Sequence, residues 1–224
     1  MCGRYALHNH PTIIALQFWL KEYPQEIKPR YNIAPGSEVL VVREEEGSPR
    51  RAEMLQWGLV PFWAKDPMIG YKMSNARAET VAEKPAYRSA FKARRCILPA
   101  SGFYEWKSGG ARKQPYFVRP SGEGLFGFAG LYEHWQGADS EINSCAIITT
   151  EANQLMHTIH DRMPVILHEE DYGRWLDPGN QNISELQALL TPFDSELMRA
   201  YPVSIRVNNA RNEGAELLEP IKSS

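Results

Sequence analysis

Much is missing from this chain, and each gap excludes something. No apolar run reaches about 18 residues, so no segment reads as a membrane-spanning helix. The formal net charge is −2, so a bulk basic surplus is absent, and contact with nucleic acid would have to come from a local patch. The first residues hold Arg4 and the polar run His8, Asn9, His10 where a signal peptide would need an apolar core, which argues against secretion. Cysteine is scarce: Cys2, Cys96 and Cys145 are an odd, scattered set. That fits reduced thiols in a cytoplasm better than a disulfide framework. Neither Cys-x-x-Cys nor His-Glu-x-x-His occurs, so His157 and His160 lack the companions a metal site needs, and no metal is expected. Internal repeats, low-complexity tracts and long linkers are absent too. With 224 residues the chain is long enough for one large core.

What is present is a mixed pattern. PTIIALQFWLKEY, 11–23, predicts an amphipathic helix, with Pro11 in its first turn and Ile13, Leu16 and Leu20 on one stripe. Strands are expected at 39–44, 53–60, 96–106, 115–119, 125–135 and 144–150, with Gly109-Gly110 and Gly137-Ala138-Asp139 as turns. Helical patterns return at 168–176 and 183–190, a turn near 195–200, and a last strand at 202–207. The expected class is α+β: one domain over 1–224 with a large antiparallel or barrel-like sheet.

Cys2 is the sharpest chemical feature. Removal of Met1 would place an amine and a thiol on adjacent carbons. The α-amine, with a pKa of about 7.7–8.0, is partly neutral at cellular pH. Such a 1,2-aminothiol can condense with an aldehyde to an imine and then close a five-membered thiazolidine. A cysteine inside a chain cannot, because its nitrogen is an amide. Cations such as Arg4 would lower the thiol pKa. An N-terminal nucleophile also suits amide hydrolysis, so a thiol peptidase stays open, and a small residue near a terminus is the plain reading.

Three further stretches carry candidates. In SNARAET, 74–80, an extended backbone would set Asn75 and Arg77 on one side, an amide beside a planar cationic fork able to hold phosphate. A loop amide and a surface arginine would look the same. In SGFYEWK, 101–107, Glu105 lies among Phe103, Tyr104 and Trp106. Desolvation there would raise its pKa toward neutrality, as a general acid or base requires; simple alternation would instead leave it in solvent. In HTIHDRMPVIL, 157–167, His160 titrates near neutral pH, Arg162 follows, and Pro164 enforces extended geometry before it. WGLVPFWAK, 57–65, adds Trp57, which fits a core, and Trp63, which if exposed would stack on bases.

CGRY, YNIAPG, WGLVPFWAK, NARAET, CILPASGFYEWK, FAGLYEHW, IITTEAN, IHDRMPVIL and VNNARNEGAELLEP occur in that order. Together they resemble the SOS-response-associated peptidase family, also called abasic-site processing proteins, over about residues 2 to 220. The resemblance implies one α+β domain with a curled, barrel-like, mostly antiparallel sheet and flanking helices. It implies a monomer, cytoplasmic and at the nucleoid or replication forks when DNA is damaged, that binds abasic sites in single-stranded DNA. It implies a covalent thiazolidine cross-link through processed Cys2, a possible lyase side reaction, and no metal or organic cofactor. By motif match Cys2, Asn75, Glu105 and His160 would be catalytic. Arg77 and Arg162 would contact DNA phosphates, with Arg4 beside them, and the Trp63 segment would line the DNA groove. Ser74 departs from the pattern, standing where many members carry an apolar residue.

Overall fold

The computed structural model describes residues 2–24, 26–109 and 112–221. Met1 and Gly110 of the expected Gly109-Gly110 turn lie outside them. Thirteen strands are seen among the described residues: β1 (Tyr5–Leu7), β2 (Arg30–Ile33), β3 (Glu38–Arg43), β4 (Arg51–Trp57), β5 (Asn75–Arg77), β6 (Arg95–Ala100), β7 (Gly102–Lys107), β8 (Gln114–Pro120), β9 (Phe126–Gln136), β10 (Glu141–Glu151), β11 (Arg162–Pro164), β12 (Ile166–Leu167) and β13 (Met198–Pro202). Helices are short: α1 (Pro11–Gln17), α2 (Arg88–Ala93), α3 (Tyr172–Leu176) and α4 (Ile183–Ala188).

Five strands close on themselves in the order β10-β4-β3-β6-β9 and back to β10. Closure removes the exposed edges that an open sheet must otherwise protect. One pairing of the ring, β4 with β10, is parallel and the rest are antiparallel. A second sheet, β13-β8-β7-β1-β2, is antiparallel throughout and lies against the barrel. Strands buried on both faces read as unbroken apolar runs, and β6 is buried at all six positions. Tyr5 of the second sheet meets Trp57 of the barrel edge-on at 5.3 Å, and Phe103 meets Phe128 at 5.9 Å. The expected α+β class with a curled, barrel-like sheet is what the chain forms. No helix among the described residues is long and apolar enough to cross a membrane.

The differences from expectation have local causes. The first helix stops at Gln17, short of residue 23, although its apolar stripe continues. Trp19 takes φ +50°, and Leu20 N–H and Trp19 N–H donate back to Ala15 and Leu16 carbonyls at 2.9 and 3.3 Å. This is the glycine-type helix stop made without glycine; the Arg50 guanidinium lies 5.3 Å from the Trp19 ring. The expected strand 96–106 is two strands. Ser101 turns between them, its hydroxyl accepting from His8 N–H at 2.9 Å and donating to Asn9 Oδ1 at 2.6 Å. The chain thereby leaves the barrel and enters the second sheet, carrying Glu105 with it. The expected last strand at 202–207 is β13 followed by a 3-10 turn at Ile205–Asn208. Strands β1 and β2 had no periodic signal because each is only three or four residues long.

Gly58 fixes where the aromatic segment after β4 goes. Its φ is +141°, and a Cβ there would sit 2.6 Å from the Gly70 carbonyl oxygen, while one on Gly70 would sit 2.7 Å from that of Gly58. Two backbones cross at contact distance, which only glycines allow. Gly58→Ala is therefore expected to cost at least about 2 kcal/mol, read as a lowered denaturant midpoint with an unchanged slope; a neutral result would mean the crossing gives way easily.

Candidate active site

Cys2 enters the core just ahead of β1 and is 0% exposed. Asn75 reaches it from the other side, donating from Nδ2 to the Cys2 carbonyl at 2.9 Å. That reach depends on β5. The strand is held by parallel pairing to β10, Ile147↔Asn75 through Thr149↔Arg77. Trp57 Nε1 donates to the Ser74 carbonyl at 2.8 Å and the Tyr87 hydroxyl to the Asn75 carbonyl at 3.0 Å. Ser74, the departure from the family pattern, orients the amide: its Oγ accepts from Asn75 Nδ2 at 3.0 Å. Asn75 Oδ1 is buried without a partner among the described residues. An unsatisfied buried acceptor is costly; this one belongs to the same amide that holds the Cys2 carbonyl.

Glu105 arrives on β7, which is antiparallel to β1 with Tyr5↔Phe103 in register and a bond from Tyr104 N–H to the Arg4 carbonyl at 2.9 Å. Continuing that register sets Glu105 alongside Gly3. The side chain is 3% exposed, so the solvent-facing alternative is overturned. Burial raises its pKa to about 7, against the pull of the positive charge at the chain's amino terminus. The Cys2 thiol is also shifted far upward, by burial first and then by the negative charge of Glu105. Arg4 does pull it down, but through a hydrogen bond from its backbone N–H and not through its guanidinium, and desolvation outweighs that pull. At rest this sulfur is a thiol with a carboxyl beside it.

His160 follows a 3-10 turn at Met156–Thr158, its N–H donating to the Met156 carbonyl at 2.8 Å. Arg162 N–H points at His160 Nδ1 at 3.0 Å. Asp161 Oδ1 is 3.2 Å from the same nitrogen. A backbone N–H can only donate, so Nδ1 accepts, the exposed Asp161 is merely near, and the ring proton sits on Nε2. Burial, then the amino-terminal charge, lowers the His160 pKa, which favours this neutral form. Glu105, His160 and the thiol thus all feel the chain's first charge.

The expected phosphate-binding arginines divide. Arg77 is exposed at the end of β5 and Arg162 half-buried at the start of β11, on the two flanks of β10. A cavity of about 450 Å³ lined by Trp63, Asn75, Arg77, Lys84 and Tyr87 opens beside β5. Trp57 is fully buried, as its context predicted, and Trp63 is 49% exposed, the condition on which it could stack on bases. Arg4 is engaged internally. Its Nη1 donates to Asn32 Oδ1 at 2.7 Å and to the Val207 carbonyl at 2.8 Å, and its guanidinium is 5.9 Å from the Trp106 ring. Sequence reasoning passed over Lys84, Tyr87 and Thr149. Tyr87 acts through a hydroxyl twelve residues from its acceptor, a pairing without local signal. Among the described residues no cluster of His, Cys, Asp and Glu could hold a metal ion.

A family model described as SOS response associated peptidase (SRAP) matches residues 1–210. The chain is 46% identical over 223 residues to abasic site processing protein YoqW of Bacillus subtilis, covering 98% of this chain and 99% of that protein. It is 34% identical over 236 residues to abasic site processing protein HMCES of Gallus gallus, covering 91% of this chain and 69% of that one. A crystal structure of a protein from Bacteroides thetaiotaomicron superposes with a TM-score of 0.88 at 27% identity, over 99% of this chain and 100% of that one.

Proposed function

The chain belongs to the SOS response associated peptidase family, and on that premise we propose that it processes abasic sites in single-stranded DNA by capturing them covalently on Cys2. The observation that carries this reading is the setting of Cys2: a buried thiol, a carboxyl tuned to about neutral pH, and an asparagine on its own carbonyl. The names of the related proteins support the choice of lesion.

The chemistry runs from the processed terminus. An abasic deoxyribose is mostly a closed hemiacetal. Glu105 as carboxylate takes the C1′ hydroxyl proton as the C1′–O bond breaks and returns it to the ring oxygen, which the Nε2–H of His160 holds by a hydrogen bond, giving the open-chain aldehyde. The neutral Cys2 amine adds to C1′, and the carbinolamine loses water, with Glu105 supplying and then recovering the proton. Sulfur next bonds to C1′ of the imine; Glu105 as carboxylate takes the thiol proton, and the imine nitrogen ends as the ring N–H. The balance is one water lost per cross-link. Asn75 holds the terminus in line, its Oδ1 accepting from the amine, an orientation effect. Arg77 and Arg162 anchor flanking phosphates, and Trp63 offers a stacking face. The chain acts as a monomer in the cytoplasm, with no cofactor.

Intact-mass spectrometry of the purified protein with an abasic oligonucleotide tests the proposal. The expected product is protein without Met1 plus oligonucleotide minus one water. A noncovalent complex only, or an adduct on protein that retains Met1, would refute it.

A further inference from the structure

Glu79 sits between the two arginines assigned to DNA phosphates. Its carboxylate takes the Arg162 fork with both oxygens, Oε1 on Nη1 and Oε2 on Nη2, the latter at 3.0 Å. It also feels the charge of Arg77, and the Arg162 hydrogen bond holds its pKa below the ordinary carboxylate value. Arg162 is anchored without it: Nη2 donates to the Thr149 carbonyl at 2.6 Å, and β11 pairs with β10 at Glu151↔Arg162. The side chains differ in exposure, 19% for Arg162 and 49% for Glu79. The fork is therefore fixed in the frame, and its occupant is at the surface and able to leave.

A carboxylate and a phosphate offer a guanidinium the same pair of oxygens. A phosphate can take those N–H groups only when Glu79 withdraws, and a carboxylate that stays near repels it. We infer that Glu79 is a built-in competitor, an internal stand-in for a DNA phosphate that fills the Arg162 fork until a backbone phosphate of the single strand displaces it. The inference rests on the assignment of Arg77 and Arg162 to DNA made above. Its consequence is selectivity. Every strand has phosphates, so tight electrostatic binding would hold undamaged DNA as well. A competitor lowers that general affinity and speeds release, and leaves retention to the covalent step.

The test is fluorescence anisotropy with an intact, lesion-free single-stranded oligonucleotide, which keeps binding apart from cross-linking. Glu79→Gln removes the charge and keeps an acceptor for Arg162. It is expected to bind about three- to tenfold tighter at low salt. Its plot of log affinity against log salt should steepen by up to about 0.7, the value of one further phosphate contact on a single strand. Arg162→Lys, which keeps charge but loses the fork, should remove most of that gain in the double variant. Equal or weaker binding by Glu79→Gln would mean Glu79 braces Arg162, and a gain that persists in the Arg162→Lys background would mean a general charge effect. Either overturns the inference. Wild-type protein that fails to bind single strands overturns the assignment of the arginines as well, a result distinct from a wild type that binds and a variant that gains nothing.

Discussion

With Cys2→Ala, the heat-stable adduct to an abasic oligonucleotide falls by at least about 10³-fold while the protein stays folded. The fold should tolerate the change, since removing one buried sulfur costs about 1–2 kcal/mol. The chemistry cannot, because the ring-closing atom is gone. Removal of Met1 still leaves an amine on the new terminus, so imine formation continues. An imine at C1′ acidifies the C2′ proton, and without sulfur to trap it the strand breaks by β-elimination. The variant should therefore exchange cross-linking for scission, with an adduct that survives only after borohydride reduction. Cys2→Ser should also give no heat-stable adduct; its hydroxyl is the weaker nucleophile and would be buried in a site that now holds a sulfur. The sharper comparison is an N-terminal fusion that blocks Met1 removal. It keeps every side chain and turns the reactive amine into an amide. A denaturing gel should show no adduct and no scission. An adduct on the fused protein would mean that the amine is not the reacting group.

That prediction uses the one feature most legible in the chain, the position of a cysteine directly after Met1. The surroundings of Cys2 were legible to different depths. Glu105 could be placed among aromatic residues, which raises a carboxyl pKa if the strand is buried, but alternation allowed the opposite face. What decided it was the crossing from barrel to second sheet at Ser101, which buries β7 on both sides. Asn75 and Arg77 could be paired only on the condition of an extended backbone. Three residues do not announce a strand, and β5 exists because β10 supplies the partner. Barrel closure is of the same kind. The β9–β10 hairpin is adjacent in sequence, whereas β4 finds β10 in parallel across some ninety residues. Arg4 shows the reverse case. A basic residue beside a reactive thiol suggests electrostatic activation, yet its guanidinium is spent on Asn32 and Val207, holding the first strand to the chain's last turns. Charge is written in the sequence, but direction is not.

Glu105→Gln should slow cross-linking by about 10²-fold or more and make the protein more stable above neutral pH. The carboxyl is raised by burial from an ordinary 4.5 to about 7. A group shifted in that direction favours the folded state fully below its unfolded pKa and loses that contribution as pH rises through the folded value. The native state therefore weakens between about pH 4.5 and 7 and carries the full cost above it, up to about 3 kcal/mol by pH 8. Glutamine resembles the neutral acid and cannot ionise. Melting temperatures of variant and wild type should coincide near pH 4, part between about pH 4.5 and 7, and stay apart above that, with the variant higher. Activity should move the other way. In the wild type the rate climbs with pH as Glu105 ionises near 7 and the amine loses its proton at about 7.7–8.0. The variant keeps only the amine limb, because no carboxylate remains to take the thiol proton. A destabilised packing residue would lose stability and activity together. Slower chemistry on a firmer fold is the signature of a carboxyl kept in an unfavourable place for its reactivity. Wild-type cross-linking rates in Glu105→Gln, or a melting curve no higher than wild type at pH 8, would assign the carboxyl to structure alone.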